Sequence, residues 1–295
     1  MCTVKLYFET EEKAREDKEM FADYHVHTEF SDDSVYPMED VIRDALQMGM
    51  DEVCITDHVD YGVKADWDSG KTILYRGTEP LANVDYPAYM EKICILKEKY
   101  EGRIRIRTGM EFGVQMHTIP KYEALFARYP FDFIILSVHQ VEDKEFWTQD
   151  FQRGRSQKEY NERYYEEMLS LVKNYKDYSV LGHMDLLKRY DEAGIYPFEK
   201  LKPMIEEILK IVIADGKGIE INTSSHRYGL DGTMPSGEIL RLYKELGGEI
   251  ITIGSDSHKP EHLGTYIEES KALLKEMGFQ KFCTYEKMKP VFHVL

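Results

Sequence analysis

Seven times along this 295-residue chain, a short apolar run gives way to an amphipathic stretch of helical period. The apolar runs fall at 21–26, 52–56, 104–110, 131–138, 179–182, 218–222 and 249–254. Several are continuous rather than alternating, the pattern of parallel strands covered on both faces. The stretches between them predict helices. Met38, Val41, Ile42, Ala45 and Leu46 recur at i, i+3, i+4, i+7 and i+8, with Pro37 near the first turn and Gly49 near the C-cap. Leu201, Ile205, Ile208, Leu209, Val212 and Ile213 form a second such stripe, closed by Gly216. Comparable helices are expected at 86–100, 119–127, 158–173, 235–247 and 262–276. Strand–helix units in series require a parallel sheet, either closed as a barrel or open and doubly wound.

Composition narrows the class. With 42% hydrophobic residues the chain can bury a large core, and its length suits one α/β barrel domain over 21–295. The polar residues 1–20 read as a peripheral N-terminal extension; they carry charge throughout, so no signal peptide is expected. Against 38 Lys and Arg stand 54 Asp and Glu, a formal charge of −16 that argues against a nucleic-acid partner. No apolar run approaches the ~20 residues of a membrane helix, so no membrane partner is expected. The four cysteines, Cys2, Cys54, Cys94 and Cys283, form no CxxC pair, which suits a reducing cytoplasm. Nothing in the sequence sets an oligomeric state.

The polar residues follow the same repeat. Beyond the C-terminal end of each apolar run stands a side chain able to bind metal or substrate. These are His25 and His27, then Asp57 and His58, then Glu111, His139, His183 with Asp185, Asn222, and Asp256 with His258. In a parallel barrel all these ends share one rim, where such barrels hold their active sites. Six of the ten histidines would therefore converge. In extended chain, residues i and i+2 point the same way, so His25 and His27 can chelate one ion, and Asp256 and His258 can do likewise. Imidazole and carboxylate without thiolate suit Zn²⁺, Mn²⁺ or Fe²⁺. Asp33 reads equally as a turn residue or a ligand. Counting it, about nine ligands are on hand, enough for two or three divalent ions at three to four each. Glu111 suits a bridge, since a carboxylate can give one oxygen to each of two ions. Asp57 and Asp185 are expected to orient neighbouring histidines as hydrogen-bond acceptors.

At these residues the sequence resembles the PHP (polymerase and histidinol-phosphatase) superfamily. The motifs stand as His25-Val26-His27-Thr28, Thr56-Asp57-His58, Gly109-Met110-Glu111, Ser137-Val138-His139, Gly182-His183-Met184-Asp185 and Gly254-Ser255-Asp256-Ser257-His258. Glu220-Ile221-Asn222-Thr223-Ser224, Arg227, Pro235 and the run 238–242 leading to Gly247-Gly248 look like its histidinol-phosphatase branch.

The resemblance implies an α/β fold, a distorted TIM-like (β/α)7 barrel, and a trinuclear metal centre at the strand ends. Carried over by motif, His25, His27, Glu111 and Asp256 would hold one ion. Glu111, His139 and His183 would hold a second. His58, His258 and Asp33, where relatives often carry His, would hold the third. The implied reaction is hydrolysis of a small-molecule phosphate ester, L-histidinol phosphate, by a hydroxide bridging two ions, with Glu111, Asp256 and His258 at the reacting centre. The leaving-group proton would come from His258 or a metal-bound water. Arg155 and Arg189 are the expected phosphate clamps, and Asn222, His226, Arg227 and His117 the other candidate substrate contacts. Alternatives are a PHP phosphoesterase for nucleotides, oligonucleotides or phosphotyrosine, or an amidohydrolase-type deaminase. The last usually has eight strands and often a bridging Lys after the fourth, where His139 stands here.

Overall fold

The computed structural model describes residues 19–67, 69–76, 79–230 and 232–295. Of the expected extension 1–20, all but Glu19 and Met20 lies outside the described residues. Seven strands make the central sheet: β1 (Ala22–Val26), β2 (Glu52–Ile55), β3 (Arg105–Gly113), β4 (Phe133–Ser137), β5 (Val180–Leu181), β6 (Gly218–Asn222) and β7 (Ile251–Gly254). They lie in chain order, each parallel to the next. At the rim the ring meets itself. Val26 bridges Ser257 just past β7, and His27 N donates to Ser257 O at 2.8 Å. Of the two arrangements that strand–helix repetition allows, the barrel is the one adopted.

The helices follow as expected: α1 (Met38–Gln47), α2 (Tyr86–Lys99), α3 (Ile119–Arg128), α4 (Gln157–Asn174), α5 (Phe198–Ala214), α6 (Gly237–Glu245) and α7 (Ile267–Glu276). Their starts are set by local chemistry. Ser156 and Glu159 form a capping box on α4, and the Asp85 carboxylate accepts from Ala88 N on α2. The last helix starts five residues later than its pattern suggests, because Pro260–His262 forms a separate 3-10 turn and Tyr266 is left-handed at φ 60°. Among the described residues no helix is long and apolar enough to cross a membrane.

Two layers of core lie on either side of the strand ring. Outward-facing Ile134 and Leu136 of β4 and Ile219 and Ile221 of β6 pack with the helices. Inward-facing Ala22, Tyr24, Cys54, Phe133, Ile135 and Val180 form a small cluster inside the barrel. Each such buried ring or large aliphatic side chain contributes roughly 1.5–3 kcal/mol. A C-terminal hairpin, β8 (Lys281–Glu286) with β9 (Lys289–Val294), seals this end. Its Cys283 and Tyr285 enter the inner cluster, and Tyr285 N donates to Tyr24 Oη at 2.7 Å.

The inner face changes character along each strand. On β4 the same parity that sets Phe133 and Ile135 inside carries Ser137 and then His139 to the rim, where both reach Glu111. On β1 the parity breaks. Its register with β2 slips between Asp23 and Val26. That irregularity lets Tyr24 join the apolar plug while the next residue, His25, also faces inward. The barrel is thus apolar at one end and polar at the other.

Candidate metal centre

Glu111 is the hub. It lies within β3 rather than beyond it, because the short strand His58–Val59 extends the pairing to Glu111 and Phe112. The carboxylate is buried, and its two oxygens face different histidines. Oε1 lies 2.7 Å from His183 Nε2 and 3.0 Å from His139 Nε2. Oε2 lies 3.1 Å from His25 Nε2, 2.9 Å from His58 Nδ1 and 3.5 Å from His27 Nε2. Ser137 Oγ donates to Oε1 at 2.7 Å.

Asp256 closes the group on the β7 side. Its Oδ1 is 3.4 Å from His27 Nε2, 3.8 Å from His25 Nε2 and 3.5 Å from His258 Nδ1. Asp33 stands at the mouth, with Oδ2 3.2 Å from His258 Nε2 and 3.5 Å from His58 Nε2. All nine sequence-predicted ligands therefore meet in one place. Among the described residues four sets of three lie close enough to share an ion: His25 with His27 and Asp256, Glu111 with His139 and His183, His27 with His58 and His258, and His58 with Asp60 and His139.

The spacing suits ions better than hydrogen bonds. His27 Nε2 is buried and makes no hydrogen bond, although two carboxylates flank it. Bonds of about 2.0–2.1 Å in a tetrahedron set ligand atoms about 3.3 Å apart. The gaps of 3.4 to 3.8 Å around His27, His25 and Asp256 are near that edge length. The electrostatics agree. Burial disfavours charge on His25, yet Glu220, Glu111 and Asp256 hold its imidazole well above the ordinary range. Burial and the neighbouring His58 and His258 hold His27 well below it. His139 is pushed up to about 9, against burial, by Glu111 and Asp60. Such opposed environments within one cluster mark a functional site.

Outer partners orient the ligands. Glu220 on β6 accepts from His25 Nδ1 at 2.5 Å and from His183 N at 3.0 Å. Asp60 lies 2.8 Å from His139 Nδ1 and 2.8 Å from Lys64 Nζ. From the sequence Asp60 goes unnamed, and Glu220 is named only within a family motif. The signal was there in the period of two, since Asp60 follows His58 and Glu220 precedes Asn222 by two residues. Asp57 and Asp185 act differently from expectation. Asp57 accepts from Thr28 N, Thr28 Oγ1 and Ser31 Oγ at 2.6, 2.8 and 2.6 Å, so it reaches His27 only through Ser31. Asp185 accepts from Lys188 Nζ and Ser236 N at 2.8 and 2.9 Å and orients no histidine.

Residues 23–224 match the PHP domain. The chain belongs to this family. The histidinol-phosphatase of Lactococcus lactis subsp. lactis is 29% identical, over 90% of this chain and 95% of that protein. A probable histidinol-phosphatase of Thermotoga maritima is 27% identical, over 88% and 93%. A crystal structure of the Lactococcus lactis histidinol phosphate phosphatase, complexed with zinc, L-histidinol and phosphate, superposes with a TM-score of 0.77 at 28% identity. It covers 92% of this chain and 98% of that one.

The cavity of this PHP domain is about 230 Å3 and opens over the ligand cluster. Its far wall is Arg189, Tyr190, Tyr228 and Trp147. Arg189 is held rigidly: Nη2 donates to Ser224 Oγ at 2.5 Å, and the guanidinium stacks 4.0 Å from the Tyr228 ring centre. Its Nε is buried without a hydrogen-bond partner. The other substrate candidates stand elsewhere. Arg155 is off the cavity, tied to Glu142 at 2.7 Å and to Phe151 O. His117 lies 3.0 Å from Asp143, and exposed His226 stacks on Tyr266. Arg227 sits behind Asp256, donating to Ser255 O at 2.7 Å and Asp256 O at 2.5 Å. Asn222 accepts from Ser224 Oγ at 2.5 Å, so it steadies the residue that steadies Arg189. In all five the side chain is held by a nearby protein partner: Arg155 and Asn222 within their own loops, and His117, His226 and Arg227 across to Asp143, Tyr266 and the Ser255–Asp256 backbone.

Proposed function

We propose that this PHP domain hydrolyses L-histidinol phosphate to L-histidinol and phosphate, using two or three divalent ions held by the nine rim ligands. The observation that carries the reading is Glu111, whose two oxygens serve two separate histidine sets beneath a cavity walled by Arg189. The relatives support the substrate, since one carries histidinol and phosphate with zinc.

His25, His27, Glu111 and Asp256 would hold one ion, and Glu111, His139 and His183 a second. His58, His258 and Asp33 would hold a third. Bound there, the ions supply Lewis acidity to the phosphoryl oxygens and acidify water for attack at phosphorus. The remaining work falls to the chain. Arg189, stacked and hydrogen-bonded in advance, presents its fork to phosphate oxygens with little left to organise. Glu220 and Asp60 keep the His25 and His139 rings from turning. Trp147, Tyr190 and Tyr228 line the cavity beside Arg189. No side-chain nucleophile is needed, so the phosphoryl group passes directly to water.

Steady-state kinetics on L-histidinol phosphate, a mononucleotide and p-nitrophenyl phosphate test the proposal. We expect kcat/KM for histidinol phosphate to exceed the others by roughly 100-fold or more, the discrimination available to a site built around specific polar contacts. Equal values would overturn the substrate assignment.

A further inference from the structure

A second cavity, about 420 Å3, lies behind the wall of the first. The 3-10 turn Leu186–Tyr190 and the residue before it divide the two. Leu186, Arg189 and Tyr190 line the metal cavity, whereas Asp185, Leu187 and Lys188 line the second. One turn of backbone thus presents alternate residues to two spaces.

The second cavity has the character of a ligand site. Its body is apolar and aromatic, with Tyr165 from α4, Tyr196 from the loop before α5, Leu201 and Ile205 from α5 and Ile239 from α6. Its size falls in the range of small-molecule sites, ~300–1,000 Å3. At its polar end stands Asp185, 7% exposed. The Asp185 Oδ2 atom accepts from both Lys188 and Ser236 N, and Oδ1 is buried with no hydrogen-bond partner. A buried carboxylate oxygen left unpaired is costly and calls for a donor. Lys188 does not supply it: its ammonium is directed to Asp185 Oδ2 and Thr233 O at 2.8 and 3.0 Å. Exposed Glu238 lies at the rim. With Asp185 and Glu238 against Lys188, the lining carries one uncompensated negative charge.

We propose that this cavity is a second ligand site, for a small primary ammonium compound with an aromatic body. The ammonium would donate to Asp185 Oδ1 and balance the lining charge, and the ring would fill the space between Tyr165, Tyr196 and Leu201. A ligand there bears directly on the turn that carries Arg189. The assignment does not depend on the phosphatase reading, because its test reads binding alone.

The probe is phenethylamine, titrated calorimetrically into the zinc-loaded protein, beside neutral 2-phenylethanol and anionic phenylacetate. The ammonium is expected to bind at least roughly tenfold more tightly than the alcohol, the margin of a charge-assisted hydrogen bond, and phenylacetate not at all. Leu201→Trp fills the cavity from α5, away from every metal ligand. It should abolish probe binding while zinc stoichiometry stays at the wild-type value. Asp185→Asn, which keeps the shape and removes the charge, should weaken the probe roughly tenfold and serves if the tryptophan variant does not fold. No binding to the wild type at ~10 mM probe, equal binding of amine and alcohol, or undiminished binding by a folded variant would each overturn the assignment.

Discussion

Replacing Glu220 with glutamine changes one atom and tests the ligand-orienting scheme. Glu220 is 1% exposed, in mid-strand on β6. One of its oxygens accepts from His25 Nδ1 at 2.5 Å and the other from His183 N at 3.0 Å. Only a carboxylate can accept at both ends; an amide has one acceptor and one NH2. If the amide oxygen turns to the backbone, the NH2 faces His25 and forces its proton onto Nε2. That nitrogen faces Glu111 and Asp256 at 3.1 and 3.8 Å and must be bare to take a metal. If the oxygen turns to His25 instead, the buried His183 N–H loses its acceptor, at about 1–3 kcal/mol. Either way the loss expected for an orienting partner is roughly 10- to 100-fold in metal affinity, or about 1.4–2.7 kcal/mol. The assay is competition for zinc between the metal-free protein and a chromophoric chelator, with thermal unfolding of the metal-free protein alongside. Glu207→Gln, which removes only an exposed ion pair with Lys173, is the control and should bind zinc normally. Zinc affinity in Glu220→Gln within twofold of the control would refute the reasoning.

Gly254→Ala should be as damaging, because its added Cβ overlaps His25 Cβ and sits 2.9 Å from Glu220 Oε1. We expect a stability loss of roughly 1–3 kcal/mol in urea unfolding, and an unshifted midpoint would contradict it. Arg189→Lys keeps the charge but loses the fork, so kcat/KM on the phosphate ester should fall roughly 10- to 100-fold with zinc content unchanged. A loss of zinc with the activity would instead make Arg189 a structural prop. Inorganic phosphate should bind the zinc-loaded protein and not the metal-free one, and calorimetric heats of equal size in both would exclude a metal-borne anion site.

Much of this architecture could be read from the chain because strand period and ligand position coincide. His25 with His27, and Asp256 with His258, stand two apart, and the parallel barrel then brings their strand ends to one rim. The rest is held by features with little or no sequence mark. The C-terminal hairpin turns at Lys287 and Met288, both left-handed at φ 50° and 63°, with neither Gly nor Asn to signal the turn. Glu220 is legible in part: its place two before Asn222 sets its face, and the barrel then brings that face to His25 and His183. Arg155 and Arg189 look alike as residues following a strand. Their difference is tertiary: Glu142 captures the first, whereas Ser224 and Tyr228 hold the second against the cavity.

The charge of −16 and an anionic substrate are reconciled inside one small space. Among the described lining residues, Asp32, Asp33, Asp60, Glu111 and Asp256 oppose only Lys64 and Arg189. With neutral imidazoles that lining stands at −3, and Lys64 is already engaged by Asp32 and Asp60 at 2.6 and 2.8 Å. A phosphate approaching the protein alone would therefore be repelled by most of what it met. Two divalent ions would carry the same lining to +1, and three would carry it to +3. The acids that make the bowl hostile to phosphate include the ligands that make it receptive, so metal must precede substrate.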